Sequence, residues 1–440
     1  MTAHPAEAPD AGSFNFDPVL YRPEMLPPPG GATYELPTNP GRRFEDPFDL
    51  DNLRFYRKPE AVNMVRELEG LDAQIRSKGT GQKVVAVIGT GGTIAMVKER
   101  GELVPRLDAD ALLDELPASK RGRFKAASIQ LPTMVDSSLI HPDVIADTVL
   151  LMSATYDKMS ASLRENFAGF LITHGTDTMA QSAALSRMML GRNVPFNTGF
   201  VGAQKTIDDS PNDVSANIDG ALTTMWLAHN DPAATHHFVF MNGTSGSAMN
   251  QVGIVKTSDS RIEAFATPLH EPLVDAGSFA VGGIRQLLVN FMRDAAQFRP
   301  LIVRGDVEVE VIHAQPGRNP DRDRKQIRSA GEEGNLEGVV VVTYGSFTFH
   351  EANFRAIKEE ADRLNVPVFV ANPFPSGSTD HEYGPANRIR ESGAEPVRMM
   401  PSALLAKVHI GRAMYPSVDD LIRFIRSDYV GETPTINPRS

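Results

Sequence analysis

Two threonines occupy positions where a side chain could do chemistry, because each follows a predicted buried strand. Thr93 comes directly after Gly92 in the string GTGGTIA, and Thr176 stands next to Asp177 in THGTDTM. Ligands of parallel α/β folds bind at the carboxyl ends of strands, so both hydroxyls are expected to face a ligand. Glycine lets the backbone turn sharply and approach that ligand closely. Asp177 could support proton transfer or bind a substrate ammonium.

A lysine and an Asp-Ser pair could complete such a site. Lys256 lies in the string VKTS, and a lysine that loses water beside a hydroxyl also loses pKa and can act as a base. Asp136 and Ser137 precede a helical pattern and could offer hydrogen bonds to a polar substrate. Each motif also has a structural explanation: a plain strand-to-helix turn, a helix cap at Asp136, Asp177 or Thr178, or a solvated surface lysine. His174 is expected to be a structural hydrogen-bonding residue rather than a base.

Short β-branched runs that alternate with amphipathic helical patterns position these motifs. Such alternation is typical of βαβ units around a mostly parallel sheet. We therefore predict an α/β fold with a larger N-terminal mostly parallel-sheet domain, a smaller C-terminal α/β domain and an extended N-terminal arm. The expected boundaries are an arm with a short helix at 1–80, a catalytic domain at 81–290 and a second domain at 305–430. The charged insert at 318–334 is expected to be a solvated loop.

The arm is rich in proline, glycine, aspartate and asparagine over residues 1–58, which favours extended structure. Its scattered aromatic residues argue against full disorder. We expect parts of the arm to lie across a globular surface, against a neighbouring subunit or near the entrance of the site. The helix is predicted after Pro59, where apolar residues recur at helical spacing.

The bulk composition excludes several classes of function. The 440-residue chain has a formal net charge of -11, and an acidic chain without basic clusters is poorly suited to bind nucleic acid or an anionic membrane. No apolar run approaches the roughly 20 residues of a membrane helix. The lack of cysteine excludes disulfides, thiolate zinc sites and cysteine nucleophiles. Without a secretory-type start or metal-binding histidine spacing, we expect a cytoplasmic protein that needs no metal or organic cofactor.

Together, TGGTIA, HGTDTM, the stretch from VGAQ to Asn217 and the later Lys-Thr pair resemble the bacterial-type asparaginase family. That family includes asparaginases, glutaminase-asparaginases and the amidase subunit of the archaeal tRNA-dependent amidotransferase. The resemblance implies a hydrolase acting on carbon–nitrogen bonds in linear amides, with a small-molecule substrate and active sites at the subunit contacts of a homodimer or homotetramer.

The resemblance also implies roles for individual residues. Thr93 would be the acyl-accepting nucleophile, and Thr176, Asp177 and Lys256 would form a proton relay. Covalent catalysis suits the reaction because an amide carbonyl is a poor electrophile and the step is divided in two. The sequence leaves open which threonine attacks first. The residues expected to bind the substrate are Gly92, Asp136, Ser137, Asp177 and the carbonyl of Ala203.

Two departures from the family pattern leave the substrate open. Family asparaginases carry a tyrosine after TGGTIA that polarises the nucleophile, whereas alignment on Pro105 puts Leu103 at that position. In the second domain, the string from Tyr344 to Thr348 replaces Gly-x-Gly-Asn, and Tyr383 matches a common tyrosine that we expect to be structural. We predict hydrolysis of L-asparagine or a related carboxamide to the acid and ammonia through a threonine acyl-enzyme. The alternatives are an amidase for a different or larger amide and a non-catalytic amino-acid-binding protein.

Overall fold

Strands and helices alternate along most of the chain, as the hydrophobic patterns predict. The computed structural model describes residues 44–100, 102–105, 111, 122–231, 235–274, 298–305, 308–332, 334, 336–344, 347–372 and 384–432. In chain order, the strands are β1 (Phe44–Glu45), β2 (Lys83–Gly91), β3 (Met96–Glu99), β4 (Glu102–Pro105), β5 (Phe124–Val135), β6 (Phe167–Thr173), β7 (Thr198–Val201), β8 (His237–Met241), β9 (Ser247–Asn250), β10 (Val255–Lys256), β11 (Phe265–Ala266), β12 (Ile302–Val303), β13 (Glu308–His313), β14 (Leu336–Val342), β15 (Val368–Ala371) and β16 (Glu395–Val397). The helices are α1 (Lys58–Lys78), α2 (Pro142–Lys158), α3 (Ala161–Asn166), α4 (Met179–Leu190), α5 (Val214–His229), α6 (Pro320–Glu332), α7 (Glu351–Arg363), α8 (Gly384–Glu391), α9 (Pro401–Met414) and α10 (Val418–Arg426).

A six-stranded sheet forms the larger α/β unit, in the order β5-β2-β6-β7-β8-β9. Its first five strands run parallel, and β9 is antiparallel to β8. Strands β2 and β6 are buried along almost their whole length, because their continuous apolar runs leave no polar face. Helices α2 and α4 contribute to one hydrophobic core, and α5 contributes to another. The predicted α/β fold with a mostly parallel larger sheet is confirmed.

A second sheet of four parallel strands, β13-β14-β15-β16, forms the smaller α/β unit. Both sheets belong to the compact unit Pro37–Ser440. The domain boundaries given above therefore stay a prediction. None of the described helices combines the length and the hydrophobicity of a transmembrane span.

The prediction of a solvated loop at 318–334 is wrong, because most of this segment forms α6. A sparse inner face is enough to hold the helix, and its buried side chains are Asp323, Ile327 and Ala330. Asp323 can be buried because Arg318 forms an ion pair with it and the Asn353 amide donates to it at 2.8 Å. Because most of its residues are charged, such a helix shows too few apolar positions for hydrophobic periodicity to predict it.

A buried carboxylate holds the described part of the N-terminal segment. Asp147 of α2 accepts hydrogen bonds from the backbone N–H groups of residues 54–56, and the Arg304 guanidinium donates to it at 2.6 Å. Strand β1 pairs with β12. Helix α1 has 21 residues and is longer than the short helix predicted. Residues 1–43 of the predicted arm lie outside the described residues.

A buried ion pair anchors the last described residues. Lys407 of α9 contacts Glu432, and both side chains are fully buried. Burial alone would raise the pKa of the Glu432 carboxyl, but the ammonium and two backbone N–H donors outweigh it and hold that pKa below its usual range. The backbone partners of the pair are the carbonyls of Ile425 and Ser427 and the N–H groups of Tyr429 and Val430.

His270 should make the fold sensitive to acid. It is buried, and neither ring nitrogen has a hydrogen-bond partner among the described residues. Burial lowers the pKa of its imidazole from 6.5 to about 4. Between these pH values the unfolded chain binds a proton that the folded chain does not, so stability falls as the pH falls. We expect this group alone to cost roughly 3 kcal/mol of unfolding free energy across that window.

Urea unfolding between about pH 7 and about pH 4, followed by the fluorescence of Trp226, measures this loss. Trp226 is the only tryptophan in the chain and reports on the larger unit. His270→Leu should flatten the decline of the midpoint with acidification. His313→Leu, at an exposed histidine, serves as the control and should retain the wild-type decline. Parallel pH dependences in His270→Leu and the wild type would contradict the assignment.

Candidate active site

The two threonine motifs begin at the carboxyl ends of neighbouring strands. Strands β2 and β6 pair in parallel, with Gly89 opposite Thr173. The buried Thr90 hydroxyl donates to the carbonyl of Thr173 at 2.8 Å and links the strands at this edge. The polar strings TGGTIA and HGTDTM therefore emerge side by side, as expected for ligand-facing loops of a parallel sheet.

Two glycines allow the motifs to touch. Gly92 has a φ of +87°, and a Cβ built on it would lie 2.2 Å from the Cα of Gly175. A Cβ on Gly175 would lie 2.6 Å from the side chain of Ser137. Any side chain at either position would push these segments apart. The sequence-predicted residues Gly92, Thr93, Ser137 and Thr176 are thus brought to one edge of the sheet.

Lys256 reaches this edge from outside the six-stranded sheet. Its ammonium donates to the Thr176 hydroxyl at 3.1 Å and to the Asp177 carboxylate at 2.6 Å. The Thr176 side chain belongs to a buried residue, whereas the Asp177 side chain is 57% exposed. The lysine amine thus contacts a buried hydroxyl on one side and an exposed carboxylate on the other. An amine in this position can transfer a proton between the hydroxyl and a ligand bound on the exposed side.

A short ladder holds Lys256 in place. Strand β10, which carries Lys256, pairs antiparallel with β11. Asn242, with a φ of +83°, braces that ladder through hydrogen bonds in both directions between its side-chain amide and the backbone of Phe265, at 2.9 and 3.0 Å. Because both amide groups of Asn242 are used, the position of the lysine is tied to the end of β8.

Asp136 and Ser137 lie beside the motifs, with different exposure. Ser137 is buried, and its carbonyl accepts a hydrogen bond from the Thr178 hydroxyl at 2.8 Å. Asp136 is exposed and accepts a bond from the Ser138 N–H, which together with the charge of Lys256 holds the pKa of its carboxyl below its usual value. Asp136 thus caps the short turn Ser137–Leu139 and also lies within electrostatic range of Lys256.

The helix-cap interpretation of the second motif is wrong in detail. Thr178 occupies the N-cap position of α4 but makes no side-chain bond to the helix, because its hydroxyl donates to Ser137 instead. Asp177 contacts Lys256. The polar side chains of this motif therefore contact Ser137 and Lys256 instead of capping the first turn of α4.

A close backbone contact and several buried hydrogen bonds hold the loop that carries Ala203. Ala203 is buried, and a Cβ on the preceding Gly202 would lie 2.6 Å from the His174 carbonyl. The Asp213 carboxylate accepts from the N–H groups of residues 204 and 205, and Asn217 donates to both Asp213 and the carbonyl of Gly202. Buried, fully bonded side chains of this kind fix a loop in one conformation.

His174 is unsuited to act as a base. Its imidazole is completely buried, and burial lowers its pKa to about 4. Its Nδ1 lies 2.7 Å from the carbonyl of Gly175, so a neutral ring donates a proton there. This geometry agrees with the structural role expected for His174, since it orients the peptide that leads into Thr176.

The structure describes only part of the segments that hold Leu103, Tyr383 and the altered string of the second domain. The backbone of Leu103 pairs with Lys98 in the hairpin formed by β3 and β4, whereas Tyr383 lies outside the described residues, as do residues 345 and 346 of the altered second-domain string. Tyr344 and Thr348 form an isolated antiparallel bridge. Across the described ranges, no group of three or more His, Asp or Glu residues could hold a metal ion.

Several residues support the site although no motif in the sequence assigns them this role. Gly175 and Gly202 make close backbone contacts, and only their glycine identity signals this. Asn242 stands in an Asn-Gly dipeptide, which marks a turn but not the bonds that brace β11. No pattern in the sequence points to Asp213 as the acceptor for the Ala203 loop.

Comparison with known proteins gives a consistent result. The family model described as "Asparaginase, N-terminal" matches residues 84–284. The chain is 27% identical over 398 residues to a subunit of the glutamyl-tRNA(Gln) amidotransferase of Thermoplasma acidophilum, with 88% of each chain covered. It is 25% identical over 354 residues to the L-asparaginase of Thermococcus kodakarensis, covering 79% of this chain and 98% of that protein. The solved structure of the thermostable L-asparaginase from Thermococcus kodakarensis superposes with a TM-score of 0.61 at 22% identity, covering 80% of this chain and 100% of the other.

Proposed function

We propose that this chain, which belongs to the asparaginase family, hydrolyses a small carboxamide to the carboxylic acid and ammonia. The observation that carries the proposal is the contact of Lys256 with both Thr176 and Asp177 beside the Thr93 turn. Hydrolases of this family act on amides, and this arrangement supplies two hydroxyls and a base. The proposed class is therefore a hydrolase of carbon–nitrogen bonds in linear amides.

In the proposed reaction, a threonine oxygen attacks the amide carbon and gives up its proton as the C–O bond forms. The tetrahedral intermediate then expels ammonia, which takes a proton, and leaves an acyl ester on the threonine. Water attacks the ester in the second half, releases the acid and restores the hydroxyl. Backbone N–H groups of the glycine-bearing turns would stabilise the oxyanion. We assign Thr93 as the nucleophile and the set Thr176, Lys256 and Asp177 as the proton relay.

L-Asparagine is the proposed substrate. The half-exposed Asp177 carboxylate is available to a substrate ammonium, and Ser137 lies against Gly175 at the same edge. Asp136 adds a second exposed carboxylate near Lys256. The carbonyl of Ala203 would orient the side-chain amide. Paired carboxylates suit a ligand that carries a positive amino group.

A different or larger amide is the second candidate. It is supported by the similarity to an amidotransferase subunit over 88% of the chain. It is also supported by Leu103, which has no hydroxyl to polarise Thr93. A non-catalytic amino-acid-binding role is the third, and it would leave the contact between Lys256 and Thr176 without a purpose. A cytoplasmic location and a homodimer or homotetramer remain predictions.

A panel of amides with liberated ammonia as the readout tests the proposal. The panel contains L-asparagine, D-asparagine, L-glutamine, N-substituted asparagines and longer amides. We expect L-asparagine to give the highest kcat/KM, whereas preference for a bulkier amide would favour the second candidate. Release of ammonia from none of them by folded protein would sink the hydrolase proposal.

Thr93→Ala should lower ammonia release roughly 10⁴-fold or more, because loss of a nucleophile removes the covalent path. Thr93→Ser should keep part of the activity, since it retains a hydroxyl. Thr80→Ala, at an exposed threonine before β2, is the matched control and should leave the rate unchanged. If Thr93→Ala kept the wild-type rate and Thr176→Ala did not, the nucleophile would have to be reassigned to Thr176.

A further inference from the structure

The hairpin that follows Thr93 is fastened to the loop that follows Ala203. The turn Thr93–Ala95 leads directly into β3, which pairs with β4. On β3, the backbone N–H of Lys98 donates to the Asp208 carboxylate at 2.6 Å, and the Lys98 ammonium forms an ion pair with Asp209. One residue of the hairpin therefore contacts two consecutive carboxylates of a segment that is far from it in sequence.

The loop that receives Lys98 is held together by hydrogen bonds of its own. The Asp209 carboxylate also accepts from the N–H and the hydroxyl of Thr206, both at 3.0 Å. Asn212 donates to the carbonyls of Ile207 and Asp209. Further along, the bonds of Asp213 hold the residues next to Ala203. The hairpin is thus attached to a segment whose polar groups are themselves hydrogen-bonded.

The register of the hairpin gives this attachment a functional meaning. Lys98 lies directly opposite Leu103 in the hairpin. Fixing Lys98 fixes the backbone at Leu103 as well as the strand that leaves Thr93. The attachment consequently fixes the position of the hairpin that directly follows the proposed nucleophile.

The ion pair is too exposed to matter much for folding. The Lys98 side chain is 49% exposed and the Asp209 side chain 24%. Exposed pairs of this kind contribute little to global stability and weaken as salt screens them. A pair that stabilises the fold so little, yet joins two segments of the site, exerts its main effect on the position of the hairpin.

We propose that Lys98 is a positioning residue, which holds the hairpin after Thr93 against the Ala203 loop by its contacts with Asp208 and Asp209. It touches no reacting atom and acts through the segment that carries Thr93 and Leu103. This inference rests on the proposed amide hydrolysis for its kinetic consequences. The attachment itself is independent of the reaction.

The kinetic test uses the full chain with graded substitutions at Lys98. Lys98→Arg keeps the charge, Lys98→Met removes it, and Lys98→Glu places a like charge beside both aspartates. We expect KM for the best amide to be near the wild-type value for Arg, to rise roughly threefold for Met and to rise roughly tenfold for Glu, with smaller changes in kcat. Lys125→Met, at an exposed lysine on β5, is the control.

Salt dependence separates positioning from a general loss of structure. In the wild type, KM should rise with ionic strength as the pair is screened, and this rise should be absent in Lys98→Met. The proposal would be overturned if Lys98→Met had the wild-type KM, or if its KM rose with ionic strength as much as that of the wild type. An equal rise of KM in Lys98→Arg and Lys98→Glu would also overturn the proposal, because the charge of the side chain would then be irrelevant.

Hydrogen exchange decides the attachment even if no amide is hydrolysed. Amide exchange in residues 96–99 and 203–209 should be faster in Lys98→Met than in the wild type, and nearly normal in Lys98→Arg. Unchanged exchange in Lys98→Met and Lys98→Glu would refute the attachment. Faster exchange with no amide turnover by the wild type would instead refute the proposed function and leave the attachment standing.

Discussion

Replacing Lys256 with methionine is expected to lower kcat/KM for the preferred amide by about 10³-fold, the usual effect of removing a general base. The reason is geometric. The amine lies 3.1 Å from the Thr176 hydroxyl, and Thr176 is buried, so bulk water cannot readily replace it as the proton acceptor. KM should change less than kcat, because the amine is proposed to act on the relay hydroxyl of Thr176 rather than on the bound substrate.

Lys256→Arg distinguishes a base from a structural cation. A guanidinium would keep the ion pair with Asp177 but stays protonated at any workable pH, so it cannot accept a proton. We therefore expect arginine to be almost as inactive as methionine. The matched control is Lys125→Met, whose side chain is exposed on β5. Ammonia release under single-turnover conditions is the measurement, and recovery of most activity by arginine would show that only the positive charge matters.

Breaking the buried pair of Lys407 and Glu432 is expected to have the largest effect on stability. Lys407→Met leaves the Glu432 carboxylate buried without its cation, which typically costs about 3–5 kcal/mol. The carbonyls of Ile425 and Ser427 would also lose their donor. Because Arg192 donates to the carbonyls of residues 428 and 429, the same segment contacts the larger unit, and its loosening should destabilise both units.

Two further variants make this prediction specific. In the double variant Lys407→Met/Glu432→Gln, the amide oxygen can still accept from the N–H groups of Tyr429 and Val430 but carries no charge, so part of the loss should be recovered. Arg423→Met removes one member of an exposed pair with Asp420 and should cost less than about 1 kcal/mol. Urea unfolding followed by circular dichroism is the measurement. A cost for Lys407→Met as small as that for Arg423→Met would contradict the expected role.

The strands and the motif positions were accessible from sequence because their signals are local. Strand β2 is a continuous apolar run that ends in glycine, and β6 repeats the pattern before HGTDTM. Period and length identify such strands, and the parallel fold then predicts that their carboxyl ends meet at one edge. Gly92, Thr93 and Thr176 could therefore be assigned to that edge from the sequence alone.

What lay beyond the sequence depends on contacts between distant residues. Nothing around Lys256 distinguishes it from a surface lysine, and only the family resemblance singled it out. Its position depends on Asn242, whose side-chain amide replaces missing backbone partners of β11. The pairs formed by Lys98 and by Lys407 likewise join charges whose spacing in sequence carries no information. Helix α6 was missed because its apolar stripe is too narrow to show as a period.

The close contact of Gly92 with Gly175 also bears on the order in which the parts of the site are synthesised. The two glycines leave β2 and β6, which are direct neighbours, so the threonine-bearing turns meet as soon as these strands pair. Lys256 belongs to no strand of that sheet and follows Thr176 by 80 residues. A nascent chain that ends before Lys256 therefore contains both threonine motifs but not the amine proposed to activate them. Such a chain would lack the proposed proton relay and is not expected to turn over an amide.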